Sequence, residues 1–137
     1  MEESIRNALA NSFDDEGNFV EVNFVRALEH AGCRRLAPFA NRGRLHALAA
    51  AIEYYDGDIE KARAAIERGE YRHCPDVQYY EDLGWDVLSQ ETQHFREIPQ
   101  VVLDYIDFES LGRDVEDGEG GKFTHFGYFA PEKQDNL

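Results

Sequence analysis

Ile5 and Leu9, four residues apart, predict a short helix over Ser4–Phe13. Asp14-Asp15-Glu16-Gly17-Asn18 reads as a turn. Val20, Phe24, Val25 and Leu28 repeat at helical spacing, and Gly32 stands where that helix would stop. Arg34 to Arg44 is a basic connector holding Pro38 and Gly43. The plainest stripe is Leu45, Leu48, Ala49, Ile52 and Tyr55, a helix over about 44–55. Asp56-Gly57-Asp58 breaks it, and Asp58 then suits the N-cap of a second helix that Gly69 closes. Ile59, Ala62 and Ile66 give that helix its inner face. The short link predicts that the two pack antiparallel.

Beyond Gly69 the pattern changes. Tyr71 to Tyr79 is ambiguous, because Pro75 opposes a regular helix in its middle. Tyr80, Leu83 and Val87 suggest a further helix, and Pro99 suits the first turn of the next. Val102, Leu103 and Ile106 form one apolar side there, while Phe108, Leu111 and Val115 form another. At about 100° per residue the two sides point roughly opposite ways, so a bend is expected near Ile106–Asp107. Glu116 to Gly121 reads as an acidic, glycine-rich turn, and Lys122 to Ala130 as one strand ended by Pro131. The fold class expected is α+β. A mainly helical part, residues 1–70, precedes a domain of mixed helices and a small sheet, residues 71–137.

Charge adds what periodicity cannot. The chain has 137 residues, with 28 acids against 14 bases and a net charge of -14. Residues 1–73 carry 13 acids and 10 bases, whereas residues 74–137 carry 15 acids and 4 bases. Between 76 and 119 the bases are Arg96 and Arg113 alone, among 13 acids. Such asymmetry marks an interaction surface. It also disfavours direct binding to nucleic acid or to an anionic membrane, both of which would repel it. No run approaches the roughly 20 apolar residues that span a bilayer. The acidic Met1-Glu2-Glu3-Ser4 start has no signal-like apolar run, so a cytoplasmic location is expected.

Catalytic and metal chemistry find little footing. Cys33 and His30 are three apart and His73 and Cys74 are adjacent, but no CxxC or HxxxH pair occurs. Val25 stands where a calcium loop begun at Asp14 would need its final Glu. Cys74 with His73 or His125 could be imagined as a nucleophile and base, with no local signature behind it. Gly118, Gly120 and Gly121 lie among acids that would repel a phosphate. Carboxylate pairs such as Glu81–Asp82, Asp104–Asp107 and Asp114–Glu116 are most simply a solvated face, not a glycosidase dyad. No cofactor, metal or catalytic residue is expected. Tyr54, Tyr55, Tyr71, Tyr79, Tyr80, Trp85 and Tyr105 are expected as half-buried packing residues.

Several segments are familiar as a set: Tyr80-Glu81-Asp82-Leu83-Gly84, then Ile98-Pro99, Leu103-Asp104-Tyr105-Ile106-Asp107-Phe108-Glu109, and Gly112-Arg113-Asp114-Val115. The closing Phe123-Thr124 and Gly127-Tyr128 fit the same pattern. Together they resemble the ArdA antirestriction family over about 42–129. The Tyr-Ile-Asp-Phe-Glu and Gly-Arg-Asp combination is the specific part. The resemblance implies an elongated, acidic homodimer that imitates bent B-form DNA and occupies the DNA groove of a type I restriction-modification enzyme. It also implies a shortened N-terminal region here, since family members usually carry an acidic domain ahead of the helical one. Trp85-Asp86 and Leu111 depart from the usual family residues.

On that reading the phosphate-imitating carboxylates are Asp82, Asp86, Asp104, Asp107, Glu109, Asp114 and Glu116. Arg113, Gly112 and Tyr105 are structural parts of the signature. The charge physics agrees, because enzymes that bind DNA present basic clefts to match its backbone. Other readings stay open: an inhibitor of another nucleic-acid-binding protein, such as a CRISPR effector or a histone-like protein, a plain acidic adaptor, or an enzyme of unknown chemistry.

Overall fold

The computed structural model describes residues 1–32 and 44–131. The connector 34–43, Cys33 and the last six residues lie outside the described part. Helices α1 (Glu3–Ala10) and α2 (Glu21–His30) form first, joined by a turn that Asp14 organises. The Asp14 carboxylate accepts from the backbone N–H groups of Glu16 and Asn18, at 2.9 and 2.8 Å. Ile5, Ala8 and Leu9 of α1 face Phe24 and Leu28 of α2 across the first core.

Helix α3 (Leu45–Tyr54) is the centre of that core. Its predicted stripe is present, but Ala47, Ala50 and Ala51 are buried as well, so neighbours cover it on more than one side. Helix α4 (Ile59–Arg68) packs on it and starts and stops where expected. Asp58 accepts from Lys61 N–H at 3.1 Å, and Gly69 takes the left-handed conformation, φ 75°.

The ambiguous stretch after Gly69 is strand β1 (Tyr71–Cys74). The single strand expected over Lys122–Ala130 is instead a hairpin, β2 (Lys122–Thr124) and β3 (Gly127–Pro131). Gly127 permits the reversal: its φ is +97°, and a Cβ there would strike the Cys74 carbonyl and Pro75. Thr124 Oγ1 locks the turn by donating to Gly127 O at 2.7 Å and accepting from Phe126 N–H at 3.0 Å. The sheet is antiparallel with order β1-β3-β2.

Strand β3 is covered on both faces. Successive side chains alternate, and Phe129, with Phe126 from the turn, enters the α1–α4 core. Tyr128 and Ala130 enter a second core with Cys74, Val77, Leu83 and Val87. The sheet therefore lies between the first four helices and the later pair, α5 (Tyr80–Glu91) and α7 (Phe108–Glu119). This is an α+β fold.

Two further expectations are corrected near the acidic segment. The bend expected near Ile106–Asp107 is a full break: α6 (Gln100–Leu103) is one turn, and Asp104–Asp107 links it to α7. Val102 is thus 49% exposed, not on a buried side. The segment from Glu116 is helical as far as Glu119, not a turn, and Gly120 closes the helix with φ 67°.

Candidate functional site

The familiar segments converge where α5 crosses α7. A Cβ on Gly84 would overlap the Phe108 carbonyl, and a Cβ on Gly112 would overlap the Tyr80 carbonyl. The backbones therefore touch, as only glycine permits. Trp85 packs on Phe95 and Phe108 beside this contact. Two motifs distant in sequence become one rigid unit.

The side chains at the rim are cross-linked. Arg113 lies over the Tyr80 ring, 4.5 Å from its centroid, and pairs with Glu109 at 2.8 Å. Tyr80 Oη donates to Glu116 at 3.1 Å, and that bond is the main cause of its raised pKa. Asp107 caps α7, accepting from Ser110 N–H at 3.0 Å and Ser110 Oγ at 2.8 Å. Those bonds favour the ionised form, so its pKa lies below the ordinary carboxylate value.

Of the seven carboxylates singled out by sequence, Asp82, Asp104, Asp107, Glu109 and Asp114 are exposed. Asp86 and Glu116 are half-buried and engaged internally. Asp86 faces the sheet, accepting from Cys74 Sγ and Gln90 Nε2, each at 3.1 Å. Gly112 is buried at the helix crossing, whereas Tyr105 is 88% exposed. Tyr79 and Trp85, at 71% and 44%, are also more exposed than packing residues would be.

Sequence reasoning missed a second polar group beneath the helices. Arg72 on β1 binds Glu91 at 2.7 Å and Glu119 at 2.7 Å, and Tyr128 Oη donates to Glu119 at 2.8 Å. Its members are far apart in the chain, so no local spacing announces them.

The imagined Cys–His pair does not assemble. His73 and Cys74 are neighbours on a strand and point to opposite faces. His73 Nε2 meets Phe126 O at 2.8 Å, while the thiol turns to Asp86. Burial, then the Asp86 contact, pushes the Cys74 pKa up to about 12, which disfavours a reactive thiolate. His125 is held by Glu53, with Nδ1 and Oε1 2.7 Å apart. Among the described residues no group of three His, Cys, Asp or Glu could hold a metal, and no helix is long and apolar enough to cross a membrane.

What remains distinctive is a display of carboxylates on a crossed helix pair, which defines an acidic α+β protein with a shaped anionic surface. The chain belongs to the ArdA family: the family model described as Antirestriction protein (ArdA) matches residues 8–130. Its function is accordingly antirestriction, in a family that acts against restriction enzymes without catalysis of its own. The match takes in the end of α1 and all of α2, so the family region begins within the first helix. No match to the chain is found among curated proteins or among solved structures.

Proposed function

We propose that the protein inhibits a type I restriction-modification enzyme by imitating DNA with the carboxylates of residues 71–137. The observation that carries this is the charge density of α7. The helix has 12 residues, about 18 Å at ~1.5 Å per residue. With its cap Asp107 it holds six acids and one base, Arg113, and four of the acids, Asp107, Glu109, Asp114 and Asp117, are exposed. One strand of B-DNA, at one charge per ~3.4 Å, carries about five over the same length. Asp82 on α5 and Asp104 on the link add exposed charge beside it. A basic DNA cleft would receive this surface with the same release of counterions, and competition for one site suffices for inhibition.

The working form is a cytoplasmic homodimer. Val101, Val102 and Tyr105 are exposed by 64%, 49% and 88%, and a self-contact there would cover them. The sheet also leaves β1 and β2 as edges.

The decisive experiment titrates the purified protein into a type I endonuclease assay at several DNA concentrations. Inhibition should weaken as DNA rises, and the protein alone should not shift duplex DNA at about 150 mM salt. Inhibition that is indifferent to DNA concentration would replace mimicry with an adaptor-like action elsewhere on the enzyme.

A further inference from the structure

We propose that Arg72 is the positioning residue that sets how α5 lies relative to α7, and thereby the spacing of the carboxylates that the two helices expose. The geometry stands on its own, and its functional consequence rests on the mimicry reading above.

Arg72 projects from β1 with its side chain 22% exposed. Its Nη2 holds Glu91, the last residue of α5, and its Nε holds Glu119, the last residue of α7, both at 2.7 Å. The α7 end has further anchors. Tyr128 Oη binds the second Glu119 oxygen at 2.8 Å, and Tyr54 Oη donates to Gly120 O at 2.6 Å. So α7 is tied to the sheet and to α3 without Arg72.

The α5 end is tied less. Among the described residues its polar links to the sheet are Arg72–Glu91 and the Cys74–Asp86 contact, a weak thiol hydrogen bond. The Gly84–Gly112 contact, with the Tyr80–Glu116 bond and the Trp85–Phe108 packing beside it, fixes the helices where they cross. A further point of attachment at their C-terminal ends, away from the crossing, restrains the angle between them. Arg72 supplies that point by reaching both helix ends with one planar fork. Lysine, a single point charge, cannot hold two carboxylates in that geometry.

The test uses the full chain. Backbone residual dipolar couplings measured on wild type, Arg72→Lys and Arg72→Met report the angle between α5 and α7. The expected result is an altered angle in both variants, with α3 and α4 unchanged relative to each other. An unaltered angle in both would overturn the proposal. Glu91→Gln is a milder variant should Arg72→Met fold poorly: it should move α5 in the same sense, and an unmoved α5 would again count against the role.

The functional arm reads the salt dependence of binding to a type I enzyme. A variant that is merely less folded loses apparent affinity with the wild-type slope. Displaced carboxylates give a shallower slope, because fewer ions are exchanged. The wild-type slope in Arg72→Met would overturn the link from Arg72 to the carboxylate array. Wild type that fails to bind the enzyme would instead sink the mimicry reading and leave the helix-angle result intact.

Discussion

Gly84 on α5 and Gly112 on α7 meet backbone to backbone, and neither has room for a side chain. Gly112→Ala would drive a methyl into the Tyr80 carbonyl, and Gly84→Ala would drive one into Phe108. Each should destabilise by about 1–3 kcal/mol or more, as overpacking against a rigid backbone does. Gly118, on the same helix, has open space at its Cβ position. Gly118→Ala should stabilise by roughly 0.5–1 kcal/mol, since alanine is the better helix former. Denaturant melts of the three variants would check the contrast. Equal effects at positions 112 and 118 would contradict the crossing.

Much of this fold is legible in the sequence, and the illegible parts share a cause. Helices α3 and α4 can be read because Asp58 and Gly69 punctuate a clear apolar stripe. The hairpin is hidden because β3 is buried on both faces, so its residues show no apolar–polar alternation to separate it from β2. The last turn of α7 is hidden because Gly118, Gly120 and Gly121 look like a turn. Gly118 costs the helix about 1 kcal/mol relative to alanine, which the anchoring of Glu119 by Arg72 and Tyr128 offsets. Glu109 can be placed on the surface because it lies about 100–160° around the helix from Phe108, Leu111 and Val115. Asp86 and Glu116 cannot, because their partners Cys74 and Tyr80 arrive from other elements.

Asp107 has two separable roles, helix cap and surface charge. Asp107→Asn keeps a side-chain oxygen for Ser110 and removes the charge. It should leave the melting temperature nearly unchanged and weaken target binding slightly. Asp107→Ala removes the cap too and should lower the melting temperature. Equal melting temperatures for the two variants would show that the cap contributes nothing.

A histidine pair predicts loss of stability in mild acid. His46 stacks on Phe19, and its ring centroid lies 5.1 Å from that of His73. Burial, then the His73 charge, lowers the His46 pKa. Burial lowers that of His73 against the opposing Phe126 bond and Asp76. The folded state thus binds these protons less readily than the unfolded chain. The stabilisation is complete above the unfolded value of about 6.5 and is lost as pH falls through the folded values. Urea midpoints should therefore fall between about pH 7 and 5, and His46→Phe should reduce that fall. An undiminished pH slope in the variant would remove His46 from the account.

Arg113 should act through the surface it organises. Arg113→Ala removes the stack on Tyr80 and the pair with Glu109, so the rim should loosen and the melting temperature should drop. Inhibition per folded molecule should be largely kept, because the lost charge is positive. A thermal melt beside an inhibition assay decides the matter. Unchanged melting with inhibition lost would place Arg113 in direct contact with the target.

The carboxylate array itself gives the most discriminating prediction. Asp82, Asp104, Glu109 and Asp114 are exposed, and none of their side chains caps a helix or is held by a distant element. Replacing any one by Asn or Gln should weaken target binding only slightly, because a mimic spreads its attraction over many charges. Replacing all four should weaken it severely. The salt dependence should flatten stepwise with each charge removed, since fewer counterions are released on binding. Folding should survive throughout, as exposed substitutions change stability by less than about 0.5 kcal/mol each. Asp86 and Glu116 should behave differently. Their bonds to Cys74 and Tyr80 are internal, so Asp86→Asn and Glu116→Gln should lower the melting temperature as well as the affinity. The opposing pattern is a single exposed carboxylate whose loss abolishes inhibition while its neighbours are silent. That result would identify one specific contact and end the case for distributed imitation of a phosphate backbone.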